Sequence, residues 1–176
     1  KMKKINREIS EVEKQVYEVL DTLNISYEVI NHEPAHSIAE CEDIVKELGN
    51  GIHCKNLFLC NRQETEFFLL LVRFDKKFKT AQVSKEINKA RLSFAKDEYL
   101  MKYLQLLPGA VSPMGLMFDQ KKEVNLLIDK DLLMEEKIYF HPCVNTASIL
   151  MDTKDFLTIF LNHLEYEPIY VEIALE

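Results

Sequence analysis

Three short stretches carry residue types that could do chemistry. Lys55-Asn56 opens an apolar run, residues 107–116 hold two glycines and two prolines, and His141-Pro142 is followed closely by Asn145. The chain has only four glycines and five prolines, so their crowding at Pro108-Gly109-Ala110-Val111-Ser112-Pro113 marks a special backbone. Gly109 tolerates positive φ and close approach by another molecule, while Pro113 fixes φ and removes a donor. The result expected is a rigid loop with exposed amides. Each residue also has an ordinary use. A Pro-Gly pair is a common turn, a strand-edge lysine snorkels to solvent, a lone histidine caps a strand end, and an asparagine serves a turn.

Other chemistries lack support. There is no G-x-S-x-G, no phosphate loop and no G-x-G-x-x-G, which removes the motifs of serine esterases, nucleotide hydrolases and dinucleotide binders. Cys143 lies two residues from His141, but Pro142 between them spoils a shared strand face, and nothing nearby lowers the thiol pKa. His32 and His36 are four apart, yet Pro34 denies them a helical His-x-x-x-His face, so no metal site and no cofactor is expected. Cys41, Cys54, Cys60 and Cys143 lack C-x-x-C spacing and read as reduced thiols.

The elements that must position these residues follow from pattern. Ser10-Glu11-Val12-Glu13 is a capping box, and Val12, Val16, Val19, Leu20 and Leu23 recur at helical spacing to about Asn24. Ile25, Tyr27 and Val29 alternate as a half-buried strand. A second box, Ser37-Ile38-Ala39-Glu40, opens a helix through Ile44, Val45 and Leu48 that Gly49 closes. Strands are predicted at 55–61 and 67–74, and the run 67–72 is apolar on both faces, which makes it a central strand. Helical stretches at 84–89 and 97–106 flank an extended piece at 91–95. Strands at 124–129, 137–141 and 146–151, a short helical turn at 131–134, a last helix capped by Thr153, and a strand at 169–173 complete the chain.

At 176 residues and 47% hydrophobic, the chain is sized for one core. Helices and strands mix without a regular βα period, so the expected fold is α/β: a single domain over residues 3–176, with a mixed, curved, barrel-like β-sheet wrapped by helices. No apolar run reaches the roughly 20 residues that span a bilayer, so no membrane partner and a cytoplasmic location are expected. The net charge of −7 argues against coating DNA, but residues 73–102 carry nine Lys/Arg against four Asp/Glu. One basic patch on an acidic body suits a partner that presents phosphates at one end, although a solvated face explains it equally well.

Taken together, His32-x-Pro34, Lys55-Asn56-Leu57-Phe58-Leu59, Arg91-Leu92-Ser93-Phe94-Ala95, Pro108-Gly109-Ala110-Val111-Ser112-Pro113 and Phe140-His141-Pro142-x-x-Asn145 resemble the prolyl-tRNA editing domain (YbaK) family. The likeness covers roughly residues 27–170 and is closest to freestanding members that hydrolyse alanyl-tRNA(Pro). It implies that Lys55 engages the terminal adenosine or its phosphate, that the Gly109–Pro113 loop contacts substrate through its backbone, and that His141 orients the site. Asn56, Ala110, Val111, Ser112, Pro113 and Asn145 would support the substrate. Implied partners are the acceptor end of mischarged tRNA(Pro) and prolyl-tRNA synthetase. Ser37 stands where threonine is common and Cys143 where an aliphatic residue is expected. A Cys-tRNA(Pro) deacylase of the same fold and a noncatalytic tRNA-binding module are the alternatives.

Overall fold

The computed structural model describes residues 8–34 and 51–174. The expected helix after Ser37, together with His36 and Cys41, lies outside the described residues.

Helix α1 (Glu11–Thr22) begins where the sequence places it: Ser10 Oγ accepts from Glu13 N at 3.3 Å, satisfying one of the orphan amides of the first turn. Val16 and Leu20 are fully buried on its inner face. Strand β1 (Tyr27–Asn31) follows, then β2 (Cys54–Cys60) and β3 (Phe67–Arg73). Helix α2 spans Thr80–Glu86, a short strand β4 is Ser93–Phe94, and α3 is Asp97–Leu104. A 3-10 helix (Pro113–Phe118), β5 (Val124–Asp129), a second 3-10 helix (Lys130–Met134), β6 (Lys137–Phe140) and β7 (Ala147–Asp152) come next. The last helical run, α4, covers 153–163 and contains a π-helical turn at Phe156–Phe160; β8 (Ile169–Val171) ends the fold.

Two sheets result, of order β1-β7-β6 and β4-β2-β3-β5-β8. The larger is mixed, with β2 antiparallel to β3 while β5 runs parallel to both β3 and β8. Strand β3 is central and Phe67 to Val72 are all buried, as the apolar run on both faces requires. One face packs with α1, α3 and α4 side chains, including Val16, Leu100, Leu104 and Phe156. The other packs with Val83 of α2 and with Leu92. At about 1.5–3 kcal/mol for each fully buried large apolar side chain, this strand anchors the core.

The α/β class with a mixed sheet is as expected, but the sheet does not close into a barrel. Among the described residues its two parts meet through a single parallel bridge, Ile52 with Ile138. Closure fails because β6 reaches only the entry to β2, whereas the far end of that same edge is taken by β4. Two boundaries also differ. Helix α2 starts four residues before the expected Ser84, since Lys79 at its N-cap offers no capping side chain to read. Thr153 does not cap the last helix: Asp152 occupies the N-cap position, and Thr153 Oγ1 is buried without a partner. No helix among the described residues is long and apolar enough to cross a membrane.

Candidate functional site

The site forms where the two sheets meet. Ile52 N donates to Lys137 O at 2.9 Å and Tyr139 N to Ile52 O at 3.0 Å, which locks the entry of β2 beside β6. On the opposite edge Phe74 N donates to His53 O, so the β2–β3 ladder continues through His53. Successive residues of an extended chain face opposite sides. His53 and Lys55 therefore share one face, and the ring of His53 meets that of Tyr139 at 5.9 Å. His141 follows Tyr139 by two residues at the end of β6. Cys54 and Asn56 lie on the other face, where Cys54 Sγ donates to Tyr139 O at 3.8 Å and to Asn56 Oδ1 at 4.0 Å.

Two loops complete the arrangement. Gly109 has φ +87°, a conformation that favours glycine, and a Cβ placed there would sit 3.6 Å from Asn145 Nδ2. The Pro-Gly loop and the His-Pro loop thus lie side by side. Within the first, Ala110 N is used by Leu107 O, while Ser112 caps the following 3-10 helix through Met114 N at 3.1 Å, with Pro113 at its first position. The expected set of exposed amides is therefore smaller than the sequence suggests. Ala110, Ser112 and Pro113 are buried, and the N–H groups of Gly109, Val111 and Ser112 are left without partners among the described residues.

The histidines have assignable protons. His141 Nδ1 lies 3.2 Å from Ala147 O, and because a carbonyl only accepts, Nδ1 carries the proton and Nε2 is left as an acceptor. His32 Nε2 meets Ser148 Oγ at 2.8 Å, and His32 N donates to Thr146 O, so His32 and His141 are both tied to the start of β7. His53 Nδ1 is buried with no hydrogen-bond partner. A bare lone pair there costs less than a buried unpaired N–H, which places the proton on Nε2 and makes His53 a donor. Burial lowers the pKa of His53 to about 4, with the neighbouring His141 and His32 adding to the fall. Burial also lowers His141; its bond to the Ala147 carbonyl opposes this and His32 reinforces it.

This depression has a sign in stability. The unfolded chain takes up these protons near pH 6.5 and the native state resists until about pH 4 for His53, so the stabilisation present above pH 6.5 is lost as pH falls through that window. His53→Phe is expected to flatten the decline of the urea midpoint between pH 6.5 and 4 relative to the unsubstituted chain. Parallel profiles for the two would show that His53 is not held neutral.

Lys55 is half-buried on β2, and its Nζ donates to Lys76 O at 2.5 Å. That contact turns it toward the segment after β3, on the His53 face, and away from Asn56. The structure thus brings Gly109 and Asn145 into contact, holds His141 on the same loop as Asn145, and sets Lys55 on the face that His53 shares with Tyr139. Asn56 Nδ2 bonds Cys54 O at 3.4 Å, on the other face. Cys143 is buried at φ +64°, and burial pushes its thiol up to about 12, so no thiolate is available there. His53 is a residue the sequence reading passed over; its position two before Lys55 on one strand was the signal. Among the described residues no group of three or more His, Cys, Asp or Glu is placed to hold a metal ion.

A model of the aminoacyl-tRNA editing domain matches residues 32–159. The prolyl-tRNA editing protein ProX of Acetoanaerobium sticklandii is 36% identical over 136 residues, covering 77% of this chain and 82% of that protein. The chain belongs to the aminoacyl-tRNA editing domain family. As an editing domain it is an ester hydrolase, an aminoacyl-tRNA deacylase, and the family resemblance carried by the short motifs holds across the fold. A prolyl-tRNA synthetase associated domain-containing protein of Mus musculus is 29% identical and covers 91% of the chain and 95% of its own length. A solved structure of a candidate trans-editing enzyme for prolyl tRNA synthetase superposes on this editing domain with TM-score 0.71 at 15% identity, covering 95% of the chain and all of its own.

Proposed function

We propose that this editing domain acts in trans on Ala-tRNA(Pro), hydrolysing the ester by substrate assistance. The observation that carries the reading is the contact of the Gly109 loop with Asn145, on the loop that His141 begins. An aminoacyl ester is activated by the adjacent ribose hydroxyl, so its hydrolysis needs a placed water and donors for the oxyanion more than a strong nucleophile. The amides of Gly109 and Val111, without partners among the described residues and not buried, are suitable donors. His141 Nε2 is an acceptor for the ribose hydroxyl or the water, and Lys55 supplies positive charge for the terminal nucleotide. Asn56, Ala110 and Pro113 shape the surroundings.

Selection by size has a physical reason. A pocket built for proline gains only about 1–3 kcal/mol per methylene over a smaller side chain, so a second site must remove alanine that slips through. That site admits a methyl group and excludes the pyrrolidine ring. Similarity to one protein named for prolyl-tRNA editing and to another named for a prolyl-tRNA synthetase associated domain supports tRNA(Pro) as the carrier. The test is single-turnover deacylation of Ala-, Cys- and Pro-tRNA(Pro). The alanyl ester is expected to be cleaved at least about tenfold faster than the prolyl ester. Equal rates on alanyl and prolyl esters would end the size account; a faster cysteinyl rate would reassign the substrate; tRNA binding with no cleavage would leave a noncatalytic module.

A further inference from the structure

One aromatic ring stands out at the surface. Phe94 is 61% exposed, the most exposed aromatic side chain among the described residues, on a two-residue edge strand. Single exposed apolar residues are ordinary and need no explanation. Phe94 is not isolated, however. It meets Phe78 edge to face, with ring centroids 5.9 Å apart, and Phe78, like Leu57, packs against the core cluster that includes Leu59. Phe94 pairs directly with Leu59 across the β2–β4 ladder, so both rings stand on the same face of β2 as Lys55. Lys55 Nζ bonds the carbonyl of Lys76, two residues before Phe78. From Lys55 to Leu59 is four residues of strand, about 13 Å at the usual rise.

Cations outnumber acids around this row, although Lys89 and Lys96 are paired with Glu66 and Glu64. Residues 73–102 hold the local excess of cations on an otherwise acidic chain, and Lys77 and Lys79 flank Phe78 on exposed positions. Arg91, three residues before Phe94, is exposed and forms no ion pair among the described residues. Stacking rings bordered by Lys and Arg are the features that hold single-stranded nucleic acid, because every base offers a π face and every nucleotide a phosphate. An apolar protein partner would not call for that cationic border.

We propose that Phe94 and Phe78, bordered by Lys77, Lys79 and Arg91, form a stacking subsite for the unpaired bases of an RNA 3′ end that lead into the Lys55 site. This rests on the editing reading above. The rings take the bases upstream of the terminal adenosine, the cations take their phosphates, and the site at Lys55 receives the terminal residue and its ester.

The test compares two substrates that differ only in those upstream bases, 3′-alanyl-adenosine and an alanylated acceptor-stem minihelix. Phe94→Ala is expected to raise KM for the minihelix about 5- to 150-fold, the range found for removal of one stacking ring, with kcat and turnover of alanyl-adenosine unchanged. Phe94→Trp should restore the minihelix KM, and Phe94→Leu, which keeps bulk without a π face, should not. Arg91→Gln should weaken minihelix binding and reduce its dependence on salt. An equal loss on both substrates, or none on either, overturns the subsite. So does a change of oligomeric state in Phe94→Ala with minihelix KM unaltered, which would assign the ring to a protein contact. Failure of the unsubstituted protein to cleave either substrate would instead overturn the editing reading.

Discussion

Lys55→Ala is expected to lose at least about 100-fold in the single-turnover rate of Ala-tRNA(Pro) deacylation, the scale seen when one preorganised electrostatic contact is removed from a hydrolytic site. The fold should survive. Lys55 is half-buried, and its contact in the structure is one part-buried hydrogen bond to the Lys76 carbonyl. Loss of such a bond costs about 1–3 kcal/mol. Stopped-flow or quench-flow deacylation, read beside a urea melt, separates the two effects. A mutant that folds and turns over at the unsubstituted rate would take the lysine out of the mechanism. Lys55→Arg is not a neutral control, because a planar guanidinium cannot repeat the single short bond that the ammonium makes.

Asp129→Ala is expected to destabilise the fold by about 3–5 kcal/mol, the cost of breaking a buried ion pair and leaving Lys76 with the exposed Asp131 as its remaining counter-charge. Lys76 is 2% exposed, and its Nζ lies 2.8 Å from Asp129 and 2.6 Å from Asp131, while also donating to Ile173 O at 2.7 Å. Burial alone would lower the lysine pKa, but its bonds to Asp129 and Asp131 raise it, and Lys76 in turn lowers that of Asp131. Asp129 also accepts from Arg73 N at 3.1 Å and Asp131 N at 3.1 Å, so its removal orphans backbone amides as well as taking a counter-charge from the cation. Asp129→Asn, which keeps an acceptor, should cost less. Urea midpoints at constant m measure both; a loss below about 1 kcal/mol for the alanine variant would show the pair is replaceable. The network bears on the role proposed for Lys55 because it fixes residues 73–76, whose last carbonyl holds that lysine.

Much of the scaffold was legible because local rules and tertiary packing agree. Ser10 and Glu13 mark the start of α1, and the run 67–72 could only be a strand covered on both sides. The Gly109 turn was legible for the same reason: φ +87° is a conformation that favours glycine. Where no side chain signals a boundary, as at Lys79, the helix start was misplaced. The open sheet was missed because closure depends on which strand claims the free edge of β2, a competition between Lys137–Phe140 and Ser93–Phe94 that no local pattern records.

By itself the sequence determined the residue types, the turn chemistry and the family, because motif spacing and backbone permission are local properties. Only the tertiary structure decided that Gly109 touches Asn145, that His53 shares the face of Lys55, and that Phe94 stands beside Phe78. Those are contacts between residues far apart in the chain. They follow from strand pairing and burial, which fix which faces meet and which lone pairs and rings are left over.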